Sequence, residues 1–301
     1  MNGRSPACSV LIPTRDQALR LRATLEALAA QDLPADRFEV VVIDDGVCDT
    51  TPAVIDDLRP HLTLRYICKP GPPLTAAEAR NTGISYARAP IFVFLEAGVL
   101  PHPGCLSAHL AAHHAEFAPA VVYGLMRSLD ATSDPRERFL AKYGDDLDTL
   151  PAPWLVFQAC NASVHADRIN SLGSFDEEMR SPEGADFDLG YRLHRAGMQF
   201  RLDRRAGAAV LPRTAALAPP IRMPVPLSVP ASVSNDRSPD ADYRRIAAKH
   251  DTPIARLLPL FPFIDIYTMN DVIRQLDLPD CADYQAARRE RTPRRALAPA
   301  A

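Results

Sequence analysis

Five strand-like and mostly apolar runs, separated by helix-like segments, are the feature that most restricts the fold of this chain. They are CSVLIP (8–13), FEVVVID (38–44), LTLRYIC (62–68), IFVFLE (91–96) and AVVYGLM (120–126). Runs without polar alternation are typical of strands that are buried on both faces. Such strands, alternating with helices, form α/β folds. The pattern therefore predicts an α/β fold with helices on both faces of a mostly parallel sheet.

The segments between the runs carry helix signals. Leu21, Leu25 and Leu28 share one face of a predicted helix over 16–31. Thr75 and Glu78 have capping-box spacing, which predicts that another helix begins at Thr75. These helices would supply the layers that cover the sheet.

The carboxyl ends of the predicted strands are the place where sheets of this class bind ligands. Asp44 and Asp45 stand at one such end, and an acid there can accept hydrogen bonds from a ribose or a base N–H. Alone the pair is a weak signal, because response regulators and dehydrogenases also carry acids at strand ends. Four stretches form the candidate rim: Pro13–Asp16, Asp44–Asp49, Lys69–Thr75 and Glu96–Pro101.

Two further groups of residues can carry chemistry. Arg80, on the helix that begins at Thr75, can pair with a phosphate through two parallel hydrogen bonds, or it can be an ordinary surface arginine. Glu183, Asp186 and Asp188 crowd the start of a later helical segment. Acids at a helix N-terminus are stabilised by the helix dipole. A carboxylate held in a pocket can instead act as general base toward an acceptor hydroxyl.

Composition places the chain among ordinary globular proteins. Its 301 residues are 47% hydrophobic and 24% charged, and the net charge of −3 suggests neither nucleic acid nor an anionic membrane as partner. No apolar stretch approaches the roughly 18 residues of a membrane span, and the N-terminus lacks the apolar core of a signal peptide. Six dispersed cysteines without a C-x-x-C pair indicate reduced thiols. We therefore expect a cytoplasmic protein.

The sequence divides near residue 212. Residues 1–212 form the predicted α/β domain, and residues 213–301 form a C-terminal extension. The extension begins with a Pro-rich stretch, which predicts an extended linker. Two helical segments, at 241–250 and 270–278, follow the linker, and the arginine-rich tail is expected to be disordered.

The order and spacing of these pieces resemble the family-2 glycosyltransferases of the GT-A fold, which are inverting enzymes that use nucleotide sugars. The resemblance covers roughly two-thirds of the chain, over about residues 8–212. Each matching segment is moderately specific, and five in order are strongly so. The segments are SVLIPTRDQALRLRATLEALAAQ, FEVVVIDDGVCDTT, AEARNTGISYARAPIFVFLEAG, CNASVHADRINSLGSFDEEM and GADFDLGYRLHRAGMQF.

The resemblance implies a nucleotide-binding site at the rim of the sheet. Pro13, Thr14 and Arg15 match the strand-end loop that borders the nucleobase in this family. Asp44 and Asp45 match the family's acid pair, one of which contacts the base or the ribose. The donor implied by this site is a nucleotide-diphosphate sugar, with a UDP-sugar as the default.

The resemblance also implies the residues of the reaction. Arg80 matches the arginine of the A-R-N element, which reaches toward the nucleotide, and Glu96 matches the first acid of the D-x-D clamp at the diphosphate. Asp186 matches the acid that usually acts as general base, with Asp188 as the alternative. The base deprotonates an acceptor that attacks the anomeric carbon opposite the leaving diphosphate, which inverts the configuration.

Three departures from the family pattern affect positions that would supply the metal site. The D-x-D clamp reads Glu96-Ala97-Gly98, so its second acid is absent. The Glu of the family's E-D-x-D-L element is Ala185. The histidine that often follows the last matched strand, and can ligate metal, is replaced near Pro212.

Two ways of neutralising a diphosphate therefore stay open. A divalent cation, Mn²⁺ or Mg²⁺, commonly stabilises the departing oxygens, and Glu96 together with the diphosphate can hold one loosely. Alternatively, Arg80, Lys69 or another basic residue acts without metal. His109 and His113 have i, i+4 spacing but no acid at ligand spacing, so we expect them on the exposed face of a helix.

Three functions follow as hypotheses. The leading one is an inverting glycosyltransferase whose acceptor is an unidentified glycan, natural product or peptide. The second is a catalytically inactive GT-A module that binds a nucleotide or an acceptor. The third uses the same scaffold for a non-glycosyl transfer reaction. In the first, residues around Trp154 and in the C-terminal extension are expected to border the acceptor pocket.

Overall fold

A single mixed sheet is the centre of the computed structural model, which describes residues 5–46, 50–114, 119–129, 144, 147, 150–212, 239–264 and 266–278. Its strands are β1 (Cys8–Thr14), β2 (Phe38–Asp44), β3 (Leu64–Cys68), β4 (Ile91–Leu95), β5 (Val99–Pro101), β6 (Ala120–Ser128), β7 (Asn161–His165) and β8 (Gln199–Val210). The spatial order is β3-β2-β1-β4-β7-β6-β8-β5. The first four are parallel, whereas β7 runs antiparallel to both of its neighbours.

Helices cover both faces of this sheet. They are α1 (Ala18–Ala29), α2 (Thr51–Leu58), α3 (Ala76–Tyr86), α4 (Cys105–Ala112), α5 (Ala166–Ser171), α6 (Pro182–Arg195), α7 (Pro239–His250) and α8 (Ile266–Gln275). Short 3₁₀ helices lie at Pro153–Val156 and Ala255–Leu260. Across the described part of the chain, every helix is too short or too polar to cross a bilayer.

Alternate residues of β1 enter two hydrophobic clusters, one on each face of the sheet. Val10 and Ile12 belong to the cluster that contains the Leu21, Leu25 face of α1. Leu11 belongs to the larger cluster that contains residues of α3, α6 and α7. Because both faces are buried, the run is apolar except at Ser9, whose buried hydroxyl donates to Glu39 at 2.7 Å.

The predicted α/β fold is confirmed, and the five apolar runs correspond to β1, β2, β3, β4 and β6. Four of the seven neighbouring strand pairs are parallel. The sequence pattern gave no signal for β7, because its inward positions Asn161 and Ser163 are polar. Both side chains are fully buried, and each forms a hydrogen bond with a ring nitrogen of His109.

The C-terminal helices pack on the same core as the N-terminal sheet. Tyr243 of α7 and Met269 and Ile273 of α8 belong to the larger cluster, which also contains residues of α6. The predicted helices in this region are confirmed as α7 and α8. The Pro-rich linker and the arginine-rich tail of the sequence lie outside the described residues.

Candidate active site

Arg80 occupies a buried position on α3, close to the carboxyl end of β4. The helix begins with the predicted capping box, in which Thr75 and Glu78 each accept the other's backbone N–H. Arg80 follows in the next turn and is only 2% exposed. A buried guanidinium requires charged or polar partners. Arg80 is therefore not an ordinary surface arginine.

Two carboxylates are the charged partners of Arg80. Its Nη1 donates to Asp186 Oδ1 at 3.0 Å, and its Nη2 donates to Glu96 Oε1 at 3.3 Å. The guanidinium carbon also lies 5.3 Å from the centre of the Phe175 ring. Arg80, Glu96 and Asp186 thus form one cluster, which we call the Arg80 cluster, at the junction of β4, α3 and α6. Its formal charges sum to about −1 when both acids are ionised.

Asp186 is held from two sides. Its Oδ2 accepts the backbone N–H of Ala159 at 3.2 Å, while its Oδ1 accepts from Arg80. The side chain is almost fully buried. Both partners stabilise negative charge, and they leave the carboxylate with a fixed orientation at the end of the sheet.

A residue that sequence reasoning missed fixes the start of α6. Asp242, on α7, is 1% exposed and accepts both the backbone N–H and the hydroxyl of Ser181, at 2.7 and 2.6 Å. Ser181 in turn caps α6 by accepting the N–H of Gly184 at 2.9 Å. A Cβ at Gly184 would lie 2.5 Å from the Asp242 carboxylate, so the contact requires glycine. In the sequence, Asp242 looks like any acid at a helix start.

Asp188, the alternative base, lies in a different environment from Asp186. It is fully buried, and its carboxylate accepts from Arg192 at 2.8 Å, Lys249 at 2.9 Å and His250 at 2.9 Å. Burial alone would raise the pKa of Asp188, but the His250 hydrogen bond and the Arg192 and Lys249 charges hold it well below its usual range. Asp188 therefore ties α6 to α7.

A second charged pair lies at the carboxyl ends of β1 and β2. Asp45 is buried, accepts the backbone N–H of Leu74 at 2.7 Å and lies 3.6 Å from Nη1 of the exposed Arg15. Pro13 and Thr14 end β1 beside it. The hydroxyl of Thr14 is buried and has no hydrogen-bond partner within the described ranges. These residues form a polar wall beside the loop that follows β3.

Asp44 faces its own strand-end turn. Its carboxylate accepts the Tyr66 hydroxyl at 2.6 Å and the backbone N–H of Gly46 at 2.9 Å. Burial, followed by the hydrogen bond to Asp44, raises the pKa of Tyr66 above its usual range, so the phenol remains a donor. A Cβ at Gly46 would lie 2.7 Å from a carboxylate oxygen of Asp16. Asp44 thus shapes the turn that presents Asp45.

Two other residues singled out in the sequence, Lys69 and Trp154, make contacts outside the Arg80 cluster and the polar wall. Lys69, after β3, donates to the hydroxyl of Thr82 at 3.3 Å. Trp154 is fully buried beneath α6, where its ring packs edge-to-face against Phe187 and Tyr191 at centroid distances of 6.1 and 5.0 Å. The Trp154 ring therefore supports the helix that carries Asp186.

The positions that would supply metal ligands do not fit a divalent cation. Glu96 is paired with Arg80, and Gly98 has a φ of +93° with the guanidinium of Arg20 packed against it. A Cβ at this glycine would lie 2.2 Å from Arg20 Nη2, so a side chain there would have to displace the Arg20 guanidinium. In the part of the chain that the structure describes, no three His, Cys, Asp or Glu side chains are grouped to hold a metal ion.

The expectation that His109 and His113 lie on an exposed helix face is wrong. His109 is fully buried and His113 is 9% exposed, because α4 packs over β6 and β8. Both rings bond the hydroxyl of Ser163 at 2.8 Å. Burial lowers the pKa of His109 to about 4 and that of His113 to about 3, with nearby His165 lowering the latter further. The i, i+4 spacing places both rings in one buried polar network around Ser163.

Comparison with known proteins agrees with this architecture. The family model described as Glycosyl transferase family 2 matches residues 9–163. A validoxylamine A glucosyltransferase of Streptomyces hygroscopicus subsp. jinggangensis is 33% identical over 67% of this chain and 54% of its own length. The uncharacterized glycosyltransferase YfnE of Bacillus subtilis is 27% identical over 65% of this chain and 62% of its own length. The chain therefore belongs to glycosyltransferase family 2, a family of enzymes.

Solved structures show the same fold. S. aureus TarS 1-349 in complex with UDP-GlcNAc has a TM-score of 0.65 at 17% identity, over 89% of this chain and 70% of that one. The mannosyltransferase PcManGT from Pyrobaculum calidifontis, in complex with GDP-Man and Mn²⁺, has a TM-score of 0.56 at 20% identity, over 71% of this chain and 59% of that one. The chain spans about half the length of the validoxylamine A glucosyltransferases it matches.

Proposed function

We propose that this chain is an inverting glycosyltransferase that moves a sugar from a nucleotide-diphosphate sugar to an acceptor, with Asp186 as general base. The observation that carries the proposal is the Arg80 cluster, in a chain of glycosyltransferase family 2. It holds one carboxylate from α6 and one from the end of β4 on a single buried guanidinium. Ligands bind at this edge in open α/β sheets.

In the proposed reaction, Asp186 accepts the proton of the acceptor as the acceptor oxygen attacks the anomeric carbon. The bond from that carbon to the diphosphate breaks, and its electron pair leaves with the diphosphate. Attack from the opposite face inverts the configuration. The bonds from Arg80 and from the Ala159 N–H orient the carboxylate before the acceptor arrives, which lowers the cost of reaching the transition state.

The geometry favours Asp186 over Asp188 as the base. Asp188 accepts from Arg192, Lys249 and His250, and the His250 hydrogen bond together with the Arg192 and Lys249 charges lowers its proton affinity. A base with a strongly lowered pKa is poorly matched to proton abstraction near neutral pH. We assign Asp188 the role of holding α6 against α7.

The nucleotide end of the donor is assigned to the polar wall at β1 and β2. Asp45 and Arg15 provide an acceptor and a cation there, beside the buried Thr14 hydroxyl, which has no hydrogen-bond partner among the described residues. Three solved structures similar in fold contain UDP, UDP-GlcNAc or GDP-Man, and a UDP-sugar is the default donor that we propose. Validoxylamine A, named in relatives 33% identical to the chain, is the first acceptor to test.

The test is sugar transfer by the purified protein, with UDP-glucose, UDP-GlcNAc and GDP-mannose as donors and mass spectrometry as the readout. Asp186→Asn should lower the transfer rate by about 10² to 10⁴, the usual contribution of a general base. Asp57→Asn is the matched control, because Asp57 is exposed on α2 and pairs with Arg22 at the surface. Unchanged turnover in Asp186→Asn would refute the assignment of the base.

A second function, a non-catalytic nucleotide-binding module, is favoured by one observation. Gly98 replaces the second acid of the clamp, and Arg20 fills the space an acid would need. Such a module would bind a nucleoside diphosphate and transfer no sugar to any acceptor. Reproducible transfer by the wild-type protein excludes it.

A further inference from the structure

The ring of Phe175 is the apolar support of the Arg80 guanidinium. Its centre lies 5.3 Å from the guanidinium carbon, and Phe175 is only 2% exposed. A guanidinium within about 6 Å of a ring centre is attracted to the face of the ring, and the attraction is stronger away from water. The same ring packs edge-to-face against Phe94 of β4, at a centroid distance of 5.5 Å. Phe175 therefore links the hydrophobic core at β4 to the charged end of Arg80.

The hydrogen bonds of Arg80 to its two carboxylates do not fix the guanidinium completely. Nη1 donates to Asp186 and Nη2 donates to Glu96. The Nε is buried and forms no hydrogen bond with any of the described residues. Two bonded nitrogens determine where one edge of a planar group points, but the plane can still rotate about that edge. A ring packed against the guanidinium limits this rotation.

The turn that precedes Phe175 is strained and is held by a neighbouring helix. Gly173 has a φ of +84° and Ser174 a φ of +61°, in the left-handed region that residues other than glycine rarely adopt. Arg192 of α6 donates to the carbonyls of Leu172 and Ser174, at 2.7 and 2.6 Å. Strained backbone persists only where surrounding contacts over-determine it, and it is common at functional sites. The turn therefore presents Phe175 in one fixed direction.

Asn81, the residue that follows Arg80 on α3, fixes the backbone of Phe175. Its Nδ2 donates to the Phe175 carbonyl and its Oδ1 accepts the Phe175 N–H, each at 2.9 Å. Two bonds to one residue set the direction of its backbone as well as its position. Adjacent residues of one helix thus hold Phe175 and contact its ring.

We propose that Phe175 is a positioning residue for the general base, and that it acts through Arg80. This inference rests on the proposed function, in which Asp186 is the base. The ring limits the rotation of the guanidinium, and the guanidinium in turn orients the Asp186 carboxylate toward the acceptor. No proton or electron pair passes to Phe175.

The test is the rate of sugar transfer, measured well below the unfolding temperature in the wild-type and Asp186→Asn backgrounds. Phe175→Leu keeps an apolar side chain but removes the ring. It should lower the kcat of the wild type about tenfold, because a small misplacement of a reacting group costs rate steeply. It should lower the residual kcat of Asp186→Asn by less than about threefold, because no base then remains to be positioned. Equal losses in both backgrounds would mean a structural role and overturn the inference.

Phe200→Leu is the matched control for the loss of a buried ring. Phe200 is fully buried, and its ring packs against those of Tyr123 and His194. Any loss of kcat in this variant should be the same in the two backgrounds. A loss confined to the wild-type background would show that any substitution in the core misplaces the base, and it would overturn the role of Phe175.

Asn81→Ala tests the same inference without changing the hydrophobic core. It removes both hydrogen bonds to the Phe175 backbone, so it should lower the kcat of the wild type and leave that of Asp186→Asn nearly unchanged. Ser85→Ala, at an exposed position of α3, should have no effect. A wild-type kcat in both Phe175→Leu and Asn81→Ala would overturn the inference and leave the proposed function intact. Transfer of no sugar by the wild-type protein would overturn both.

Discussion

Arg80 and Asp186 form a buried ion pair, with Nη1 of the arginine 3.0 Å from Oδ1 of the aspartate. The pair joins α3 to α6 across 106 positions of sequence. The same arginine also pairs with Glu96 at the end of β4. The carboxylate proposed as the base and the carboxylate proposed to lie at the diphosphate therefore share one guanidinium. The stability of the site and its chemistry are thereby linked.

Replacing Arg80 should destabilise the fold as well as the site. Arg80→Met leaves the carboxylates of Asp186 and Glu96 without their shared cation, and breaking a buried pair in this way costs about 3–5 kcal/mol. Urea unfolding measures the loss. Arg22→Met, which breaks an exposed pair with Asp57, should cost less than about 1 kcal/mol. Equal stability of the two variants would contradict the proposed contribution of the Arg80 cluster to the free energy of unfolding.

Replacing Asp188 should lower stability far more than catalysis. Asp188→Asn removes the charge that Arg192, Lys249 and His250 share, at a cost of about 3–5 kcal/mol. Its transfer rate, measured well below the unfolding temperature, should stay within about tenfold of wild type. Asp251→Asn, at an exposed pair with Arg256, provides the stability control. A rate loss in Asp188→Asn as large as that in Asp186→Asn would reassign the base.

Asp242 should act on the reaction through the position of Asp186. Asp242→Ala removes the acceptor for the N–H and hydroxyl of Ser181, and about 1–3 kcal/mol of stability should be lost with it. The first turn of α6, which carries Asp186, is then held less firmly. The kcat should therefore fall, while the KM for the donor changes little. Asp240→Asn, in the same turn of α7, is the control. A variant that lost stability but kept its kcat would limit Asp242 to a purely structural role.

Acid should destabilise the protein through His109 and His113. The folded protein protonates these rings only below about pH 4 and pH 3, whereas the unfolded chain protonates them near the ordinary value of 6.5. The unfolded state therefore binds more protons as the pH falls below about 6.5, and each histidine costs about 1.4 kcal/mol per pH unit down to its folded pKa. Urea unfolding at pH 7 and pH 5 measures this slope.

The control for the acid effect is His61→Gln, because His61 is exposed. Its unfolding free energy should show the same dependence on pH as that of the wild type. His109→Gln should show a smaller dependence, after allowance for its lower overall stability. If both variants kept the full slope, the buried histidines would not be its source.

Much of the fold could be predicted from the sequence because strands buried on both faces leave a distinct pattern. The residues from Val10 to Ile12 are all apolar, since each of them enters one of two cores. β7 left no such pattern, because Asn161 and Ser163 are buried together with their hydrogen-bond partners. A hydrophobicity pattern records which residues are polar. It does not show whether a distant residue forms the hydrogen bonds that allow a polar side chain to be buried.

The resemblance assigned Arg80, Glu96 and Asp186 to one site, and the structure brings these three side chains together. Their roles stay predictions, and the sequence did not predict how they are paired. The resemblance assigned Arg80 to the nucleotide, whereas the structure pairs it with Asp186 and Glu96. Asp242 carried no signal, since it acts through a backbone contact with a segment more than 50 residues away. Local spacing cannot predict contacts of that range.

The measurement that tests the central claim most directly is the anomeric configuration of the product, determined by NMR of a transfer reaction with an α-linked nucleotide sugar. Wild-type protein should yield the β-linked product, and Asp186→Asn should yield the same product at least about a hundredfold more slowly. An α-linked product would contradict the inverting mechanism. A β-linked product formed at the wild-type rate by Asp186→Asn would contradict the role of Asp186 as the base.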